Sequence, residues 1–334
     1  MDTLIKKLNL GLIYKKANTW WNIDYVLESM KKFPNVNLQI IDVTDYNKNK
    51  LPSDLDCITM LPHETDVLED VLDANKNIKW VHCMWSGCDK FLNKPKLLND
   101  AITLTNGRGA FSKSLAEYSM FSMLYFAYNV SSYIKAFQHK EWVRPLNQMI
   151  NGKTLTIVGY GWNGVEIAKK AKLGFDMKVI GIKRNINVID GKEYIDEIAT
   201  LDKLSEIVPR SDFILSILPS TPETDDLWDD KLFNLMKTTA VFINLGRGSS
   251  VNEEHLIKAL KEKRIAGTAL DVFKQEPLDP KSEFYNCDNA LLSFHSADNT
   301  DEYGKQGVDV LLHNLETFTK TGKYLTKVDK TKGY

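Results

Sequence analysis

Cysteine is scarce in this chain. Cys57, Cys83, Cys88 and Cys287 are the four in 334 residues, and no two form a C-x-x-C pair. That excludes a disulfide scaffold and gives no metal-binding spacing, so no metal is expected and the thiols are read as reduced and buried, in a cytoplasmic protein. An excess of charge of one sign is missing too: 43 basic against 44 acidic side chains leave a formal net charge of −1. A global basic field for gripping nucleic acid is therefore absent. No apolar run reaches the roughly 18 residues that a membrane-spanning helix needs. The best candidate, residues 118–130, is short and contains Ser119, Ser122 and Asn129. Residues 1–12 carry Lys6 and Lys7 inside an apolar run, not the charge-then-apolar-then-small order of a secretory signal. They read as the entry to a first strand. Internal repeats and long low-complexity linkers are also lacking.

What is there is the composition of a soluble globular protein, 43% hydrophobic and 26% charged. The length suggests two domains. Short apolar runs alternate with helical patterns, the sign of an α/β protein built on parallel sheets. Strand-like runs at 10–14, 38–42, 57–61, 80–84 and 102–105, with helical stretches such as 25–32 and 67–73 between them, predict a small doubly wound sheet. A helix apolar on most faces follows at 112–129, which belongs in a core or at a subunit interface. Residues 137–150, with Trp142 and Pro145, read as an irregular arm. A second series has strands at 154–158, 178–182, 213–218, 241–244 and 266–270, with a sixth at 291–294. Five or six parallel strands with intervening helices make a dinucleotide-binding sheet plausible. A final helix is predicted over 302–319.

The strand at 154–158 runs into Gly159-Tyr160-Gly161-Trp162-Asn163-Gly164, and a helical pattern comes next. A G-x-G-x-x-G between strand and helix has a mechanism. Gly159 permits the tight turn, Gly161 lets backbone approach a pyrophosphate, and Gly164 lets helix and strand pack closely. The helix N-terminus adds unpaired N–H groups and a partial positive charge. The bland alternative is a glycine-rich turn without a ligand. The next strand ends in Lys183-Arg184-Asn185, where an NAD enzyme usually places an acidic residue for the ribose hydroxyl. Two cations would attract a 2′-phosphate, so NADPH is the expected cofactor, with NADH possible.

Three polar residues stand at the ends of later strands: Arg247 between Gly246 and Gly248, Glu276 before Pro277, and His295 after Phe294. Singly these are a surface ion pair, a solvated turn and a structural histidine. Together, after a dinucleotide loop, they say more. The flanking glycines read as space kept around Arg247.

With these segments the sequence resembles the D-isomer-specific 2-hydroxyacid dehydrogenases over nearly its whole length. The likeness is carried by Gly159–Gly164, by Ser211-Asp212 through Pro219 to Thr224, by Asn244-Leu245-Gly246-Arg247-Gly248, by Leu270-Asp271-Val272-Phe273 with Glu276-Pro277, and by the His295 segment. Residues 79–89 and 106–117 match earlier parts. The ending, residues 295–303 with Gly333-Tyr334, is similar to the branch of glyoxylate/hydroxypyruvate reductases that reduce small 2-ketoacids, often with NADPH. The resemblance implies that Arg247 binds the ketoacid and that His295 gives a proton to its carbonyl oxygen. Glu276 would orient His295 and favour its protonated form. It implies that Gly159, Gly161, Trp162, Asn163 and Gly164 hold the cofactor, with Lys183, Arg184, Leu218, Pro219, Thr224, Leu245 and Gly246. Asp271 would touch its nicotinamide end, and the backbone N–H groups of Ser86 and Gly87 the substrate carboxylate.

The implied architecture is a Rossmann cofactor domain, 106–295, inserted in a flavodoxin-like substrate domain, 1–105 with 296–334. Two crossings would act as a hinge. The 112–150 helix and arm would make a homodimer, Trp142 reaching toward the neighbour or packing in the core. Two departures stand out: Phe294 replaces a usual Pro, and the ribose acid is missing. Bulky Met84 and Trp85 favour a restricted pocket. A non-catalytic, dinucleotide-sensing co-repressor is the alternative of a different class. Oxidation of formate is disfavoured, since that branch pairs its His with Gln.

Overall fold

The computed structural model describes residues 7–16, 23–44, 46–60 and 65–333. Leu61, at the end of the third expected strand, and Tyr334 lie outside them, as does the start of the N-terminal run. The chain divides into two compact units, one holding the described residues up to Phe111 and from Thr300 onward, the other Ser112–Asn299.

The first unit begins with β1 (Leu8–Tyr14), α1 (Ile23–Met30), β2 (Val36–Asp42) and β3 (Cys57–Met60). It continues through α2 (Thr65–Ala74), β4 (Trp80–Cys83), α3 (Asp89–Leu92) and β5 (Thr103–Asn106). All five strands pair in parallel in the order β2-β1-β3-β4-β5, the flavodoxin-like winding. Every residue of β3 and β4 is buried. Strands covered on both faces need uninterrupted apolar or neutral runs, which is why these two were readable.

The second unit opens with α4 (Ser112–Ala127) and α5 (Val130–His139). Asn129, left-handed at φ 50°, separates them, and Lys140, at φ 59°, closes α5. The expected irregular arm therefore begins after residue 139, not at 137. Phe137, Trp142 and Leu146 are 86%, 93% and 92% exposed, so Trp142 is no part of this unit's core. Then come β6 (Thr154–Val158), α6 (Trp162–Phe175), β7 (Lys178–Ile182), β8 (Glu197–Ala199), α7 (Leu204–Ile207) and β9 (Phe213–Ser216). After these follow α8 (Asp230–Leu235), β10 (Val241–Asn244), α9 (Glu253–Lys261), β11 (Gly267–Leu270) and β12 (Ala290–Leu292). The chain returns to the first unit as α10 (Tyr303–Thr321), whose Phe318 packs on Trp80 at 5.5 Å between ring centroids.

The second sheet has seven parallel strands, β12-β11-β10-β9-β6-β7-β8. The expected five or six omitted β8, a three-residue, half-buried edge strand too short to leave an apolar run. Counted from β6 the order is 3-2-1-4-5-6 with one strand added, so the winding reverses between β6 and β9. That reversal opens a crevice at the C-terminal strand ends, where ligands of such sheets bind.

Candidate functional site

The loop after β6 sits at this reversal. Gly159 has φ +109°, and a Cβ there would lie 2.6 Å from the Ile217 carbonyl oxygen. A Cβ on Gly164 would come within 3.0 Å of the Gly159 oxygen, whereas one on Gly161 would meet nothing within 4 Å. Two glycines are thus demanded by the chain's own packing, and the third leaves open space. Gly161 is also the N-cap of α6 and offers no side chain to the helix's first N–H groups. Those donors stay available to an anion. Trp162 is 61% exposed at the first helical position. Asn163 faces inward and accepts a hydrogen bond from Ser112 Oγ at 2.6 Å, which ties α4 to α6. An open approach to helix N–H groups fits a dinucleotide pyrophosphate.

The loops after β7 and β9 flank it. Lys183 Nζ donates to the Val188 carbonyl at 2.7 Å. Arg184 lies 3.7 Å from Glu223, both side chains being well exposed. A hydrogen bond from Thr221, its own backbone and the Arg184 charge hold Glu223 below the usual carboxylate range. The acid missing from the end of β7 thus has a counterpart from the neighbouring loop, which no local pattern announced. In that loop, buried Thr224 donates through Oγ1 to the Pro219 oxygen at 2.7 Å and accepts the Thr221 N–H at 3.0 Å. Leu218 is pressed against Gly246, where a Cβ would lie 2.6 Å from its N and O atoms, and Leu245 beside it is buried.

Arg247 follows β10. Buried Asn244 shapes its turn, accepting the Gly246 N–H at 3.1 Å and donating to the Arg247 carbonyl at 3.1 Å. A Cβ on Gly248 would fall 1.9 Å from the Phe273 carbonyl carbon. The glycines beside Arg247 are therefore filled by neighbouring backbone, a correction to the reading that they keep space free.

Phe273 belongs to the segment after β11 that carries Glu276. Its N–H donates to Glu276 Oε1 at 3.0 Å, while Oε2 meets His295 Nδ1 at 2.7 Å. Glu276 and His295 are 36% and 48% exposed. The bond to Glu276 raises the His295 pKa against the opposing effects of burial and of the Arg247 charge. Burial pushes Glu276 up, yet His295, the Phe273 N–H and the Arg247 charge outweigh it and leave it lowered. Arg247 thus acts on both members of the pair, so the three groups read as one constellation share one neighbourhood. With Nδ1–H given to Glu276, Nε2 is the nitrogen left to exchange a proton with a ligand.

The turn that presents His295 is unusual. Phe294 and His295 are both left-handed, at φ 55° and 54°. Proline, fixed near −65°, cannot stand at such a position, so exchanging the usual Pro for Phe294 changes the turn in kind. Phe294 lies between Phe273 and Tyr285, with ring centroids 6.4 and 6.3 Å away. Asp271, at the end of β11, is 3% exposed. Its Oδ1 accepts from Ser293 Oγ at 2.7 Å, from the Ser296 N–H at 2.7 Å and from the Ala297 N–H at 3.0 Å. Its carbonyl accepts the His295 N–H at 2.5 Å. This set of contacts was invisible to sequence reasoning. Nearby Asp298 is pushed up to about 6 by burial and by the Asp271 charge.

Ser86 and Gly87 lie in the first unit. Ser86 Oγ donates to the Gly107 carbonyl at 3.0 Å, and its own carbonyl accepts from Asn106 Nδ2 at 2.6 Å. Met84 and Trp85 are 0% and 8% exposed and belong to that unit's core. Their bulk is spent on packing. All four cysteines are buried and free. Among the described residues no cluster of three or more His, Cys, Asp or Glu could hold a metal, and no helix is long and apolar enough to cross a membrane.

The sequence model of the D-isomer specific 2-hydroxyacid dehydrogenase NAD binding domain matches residues 120–297. A glyoxylate reductase of Thermofilum pendens is 34% identical over 263 residues, 75% of this chain and 75% of that one. A D-isomer specific 2-hydroxyacid dehydrogenase family protein of Aeromonas salmonicida superposes with a TM-score of 0.82 at 24% identity, over 97% of this chain and all of that one. An NADPH-dependent glyoxylate/hydroxypyruvate reductase of Sinorhizobium meliloti, solved with NADP and sulfate, superposes at 0.81 and 24% identity, over 98% of this chain and all of that one.

Proposed function

The chain belongs to the D-isomer specific 2-hydroxyacid dehydrogenase family and is an NAD(P)-dependent oxidoreductase, and from that premise we propose that it reduces a small 2-ketoacid to the D-2-hydroxyacid, with NADPH as preferred reductant. The observation that carries this reading is the 2.7 Å His295–Glu276 pair within reach of the Arg247 charge, at the C-terminal ends of β10, β11 and β12. When bound, the cofactor supplies hydride to the carbonyl carbon. Everything else falls to the protein. The guanidinium of Arg247 engages the ketoacid and offsets the negative charge that grows on its carbonyl oxygen. His295, kept protonated by Glu276, gives its Nε2 proton to that oxygen and recovers one from solvent. Glu276 is held in turn by the Phe273 N–H, so the imidazole keeps one orientation.

Gly161 and the start of α6 receive the pyrophosphate, and Lys183 and Arg184 the 2′-phosphate. The glyoxylate reductase relative and the NADP-bound neighbour support a small ketoacid and the phosphorylated cofactor. The reading includes a homodimer formed through α4, α5 and the arm, where the large apolar side chains of Phe137, Trp142 and Leu146 are exposed and a partner's cover would remove them from water.

The test is a panel of glyoxylate, hydroxypyruvate, pyruvate and longer 2-ketoacids with each cofactor. Consumption of NADPH with a short ketoacid, and higher kcat/KM for NADPH than for NADH, is the expected result. Folded protein that binds NADPH yet turns over none of the panel would remove the assignment. Equal or better efficiency with NADH would remove the cofactor preference.

A further inference from the structure

We propose that Tyr160 is a positioning residue for cofactor selection, holding the loop of residues 183–191, which carries Lys183 and Arg184, in the shape that meets a 2′-phosphate. The inference rests on the reading above, in which those two cations receive that phosphate. It adds a residue that the glycine motif left without a role.

Tyr160 stands between the first two glycines of the loop after β6, yet it is only 1% exposed and packs beside β7. A Cβ on Gly181, in β7, would lie 2.9 Å from Tyr160 Cγ, so a side chain there would collide with the ring. From this place the hydroxyl donates to the Gly191 carbonyl at 2.8 Å, which also accepts the Tyr194 N–H at 3.0 Å. The backbone N–H groups of Gly159 and Tyr160 donate to the Ile182 carbonyl at 3.0 and 2.8 Å. One residue therefore reaches both ends of the loop. Its backbone fixes Ile182, where the loop leaves β7, and its hydroxyl fixes Gly191, where the loop ends. The second end is closely fitted. Gly191 is left-handed at φ +64°, and a Cβ there would lie 2.5 Å from Val165 Cγ1 on α6 and 3.3 Å from the Tyr160 hydroxyl oxygen.

Between these ends the chain is mostly exposed. Its internal bonds are local, from Lys183 Nζ to the Val188 carbonyl at 2.7 Å and from the Asn187 N–H to the Asn185 side chain at 3.0 Å. A loop tied at both ends offers its cations in a set place. Released at its far end, it must be ordered when the phosphate binds, and that cost is subtracted from affinity. NADH carries a hydroxyl where NADPH carries the phosphate, so it draws little from the cations and is spared the cost. Burial pushes the Tyr160 hydroxyl up to about 12, which keeps it protonated, and a donor, at any pH near neutral.

The experiment compares Tyr160→Phe, Gly191→Ala and the double variant Lys183→Gln with Arg184→Gln against wild type, in the full chain. Readouts are the Kd of NADPH and of NADH from fluorescence titration, the Kd of adenosine 2′,5′-bisphosphate and of 5′-AMP from calorimetry, and the rate of tryptic cleavage after Lys183 and Arg184. Tyr160→Phe keeps the ring and deletes the hydroxyl. Loss of one such hydrogen bond predicts an NADPH Kd raised about three- to tenfold, with the NADH Kd within about twofold of wild type. The bisphosphate and AMP divide in the same way, and the loop is cleaved faster. Gly191→Ala pushes the same end of the loop off Val165, shifts the NADPH to NADH ratio in the same direction, and decides if Tyr160→Phe fails to fold. Equal weakening of both cofactors in Tyr160→Phe would overturn the proposal, because the hydroxyl would then support the nucleotide site as a whole. So would an unchanged ratio. The double variant separates the two layers. If it keeps the wild-type ratio, the 2′-phosphate reading itself falls; if it loses NADPH affinity selectively while Tyr160→Phe and Gly191→Ala do not, the positioning role alone falls.

Discussion

Replacing Glu276 by Gln keeps the side chain's shape and removes its charge. Gln can still accept the Phe273 N–H, now made by Glu276 Oε1 at 3.0 Å, but this turns its amide NH2 toward His295 Nδ1, where Oε2 now sits at 2.7 Å. A donor facing Nδ1 disfavours the imidazolium. Hydrogen bonds to charged groups contribute about 1.5–3 kcal/mol, which at 1.36 kcal/mol per decade is about 10- to 150-fold in rate. Because the pair is 48% and 36% exposed, solvent screening places the expectation at the low end, about 10- to 30-fold in kcat near neutral pH. The sign of the pH dependence follows from the direction of the shift. Glu276 raises the His295 pKa, and reduction needs His295 protonated, so the rate falls as pH rises through that pKa. In E276Q this limb moves to lower pH, so the deficit narrows in acid and widens in base. Stability obeys the same linkage. The raised His295 contributes stability fully present below its unfolded pKa, near 6.5, and lost as pH rises through the folded one. The lowered Glu276 contributes stability present above its unfolded value, near 4.3, and lost as pH falls through the folded one. The gap in unfolding free energy between wild type and E276Q is therefore widest between about pH 4.3 and 6.5. The assays are kcat for ketoacid reduction from about pH 5 to about pH 9 at saturating cofactor, and urea unfolding over the same span. An alkaline limb at the same pH in both proteins would refute the reasoning, because the carboxylate would then not be what keeps His295 protonated.

Gly161→Val adds atoms where a Cβ meets nothing within 4 Å, so thermal unfolding stays near wild type while cofactor Kd, read by fluorescence, rises about 10-fold or more as the pyrophosphate loses its approach. Gly248→Ala puts a Cβ 1.9 Å from the Phe273 carbonyl carbon, and backbone cannot yield as a side-chain tip would. Overpacking of about 1–3 kcal/mol lowers Tm by roughly 3–10 °C, and kcat drops with it because Phe273 holds Glu276. An unchanged melting curve would show that the close approach is not as drawn. Leu146→Asp charges the exposed arm, and sedimentation at micromolar concentration is expected to move from dimer toward monomer, while a wild-type protein that already sediments as a monomer contradicts the interface.

What could be read from the amino acids was whatever burial on both faces writes into a run. Strands β3, β4, β9, β10 and β11 are buried along their whole length, and each appeared as an apolar stretch. Half-buried β8 carries no such mark and was missed. Helix α5 overlaps the expected irregular arm at 137–139, since most of it is exposed and its start follows a left-handed Asn129 that nothing in the residues beside it requires. The glycine loop was legible because two of its three glycines answer to distances within the chain itself.

The polar site was legible by identity and opaque in wiring. Arg247, Glu276 and His295 could be named because each follows a readable strand, and parallel strands bring their C-terminal ends to one side of the sheet. Which atom holds which depends on loops whose spacing along the chain says nothing. Glu223 reaches Arg184 from another strand's loop, and Asp271 reaches four residues of the His295 segment across more than twenty positions. An aspartate after a strand is the same letter whether it faces a ligand or a neighbouring turn. Phe294 is the one place where composition could have pointed to geometry. A family that uses Pro there holds φ negative, and replacing Pro removes that constraint without stating what takes its place. In this chain a left-handed turn takes it, stacked between Phe273 and Tyr285 and tied to a buried carboxylate. The histidine after β12 is thus presented by a backbone that proline could not adopt, and bonds to the end of β11 hold it there.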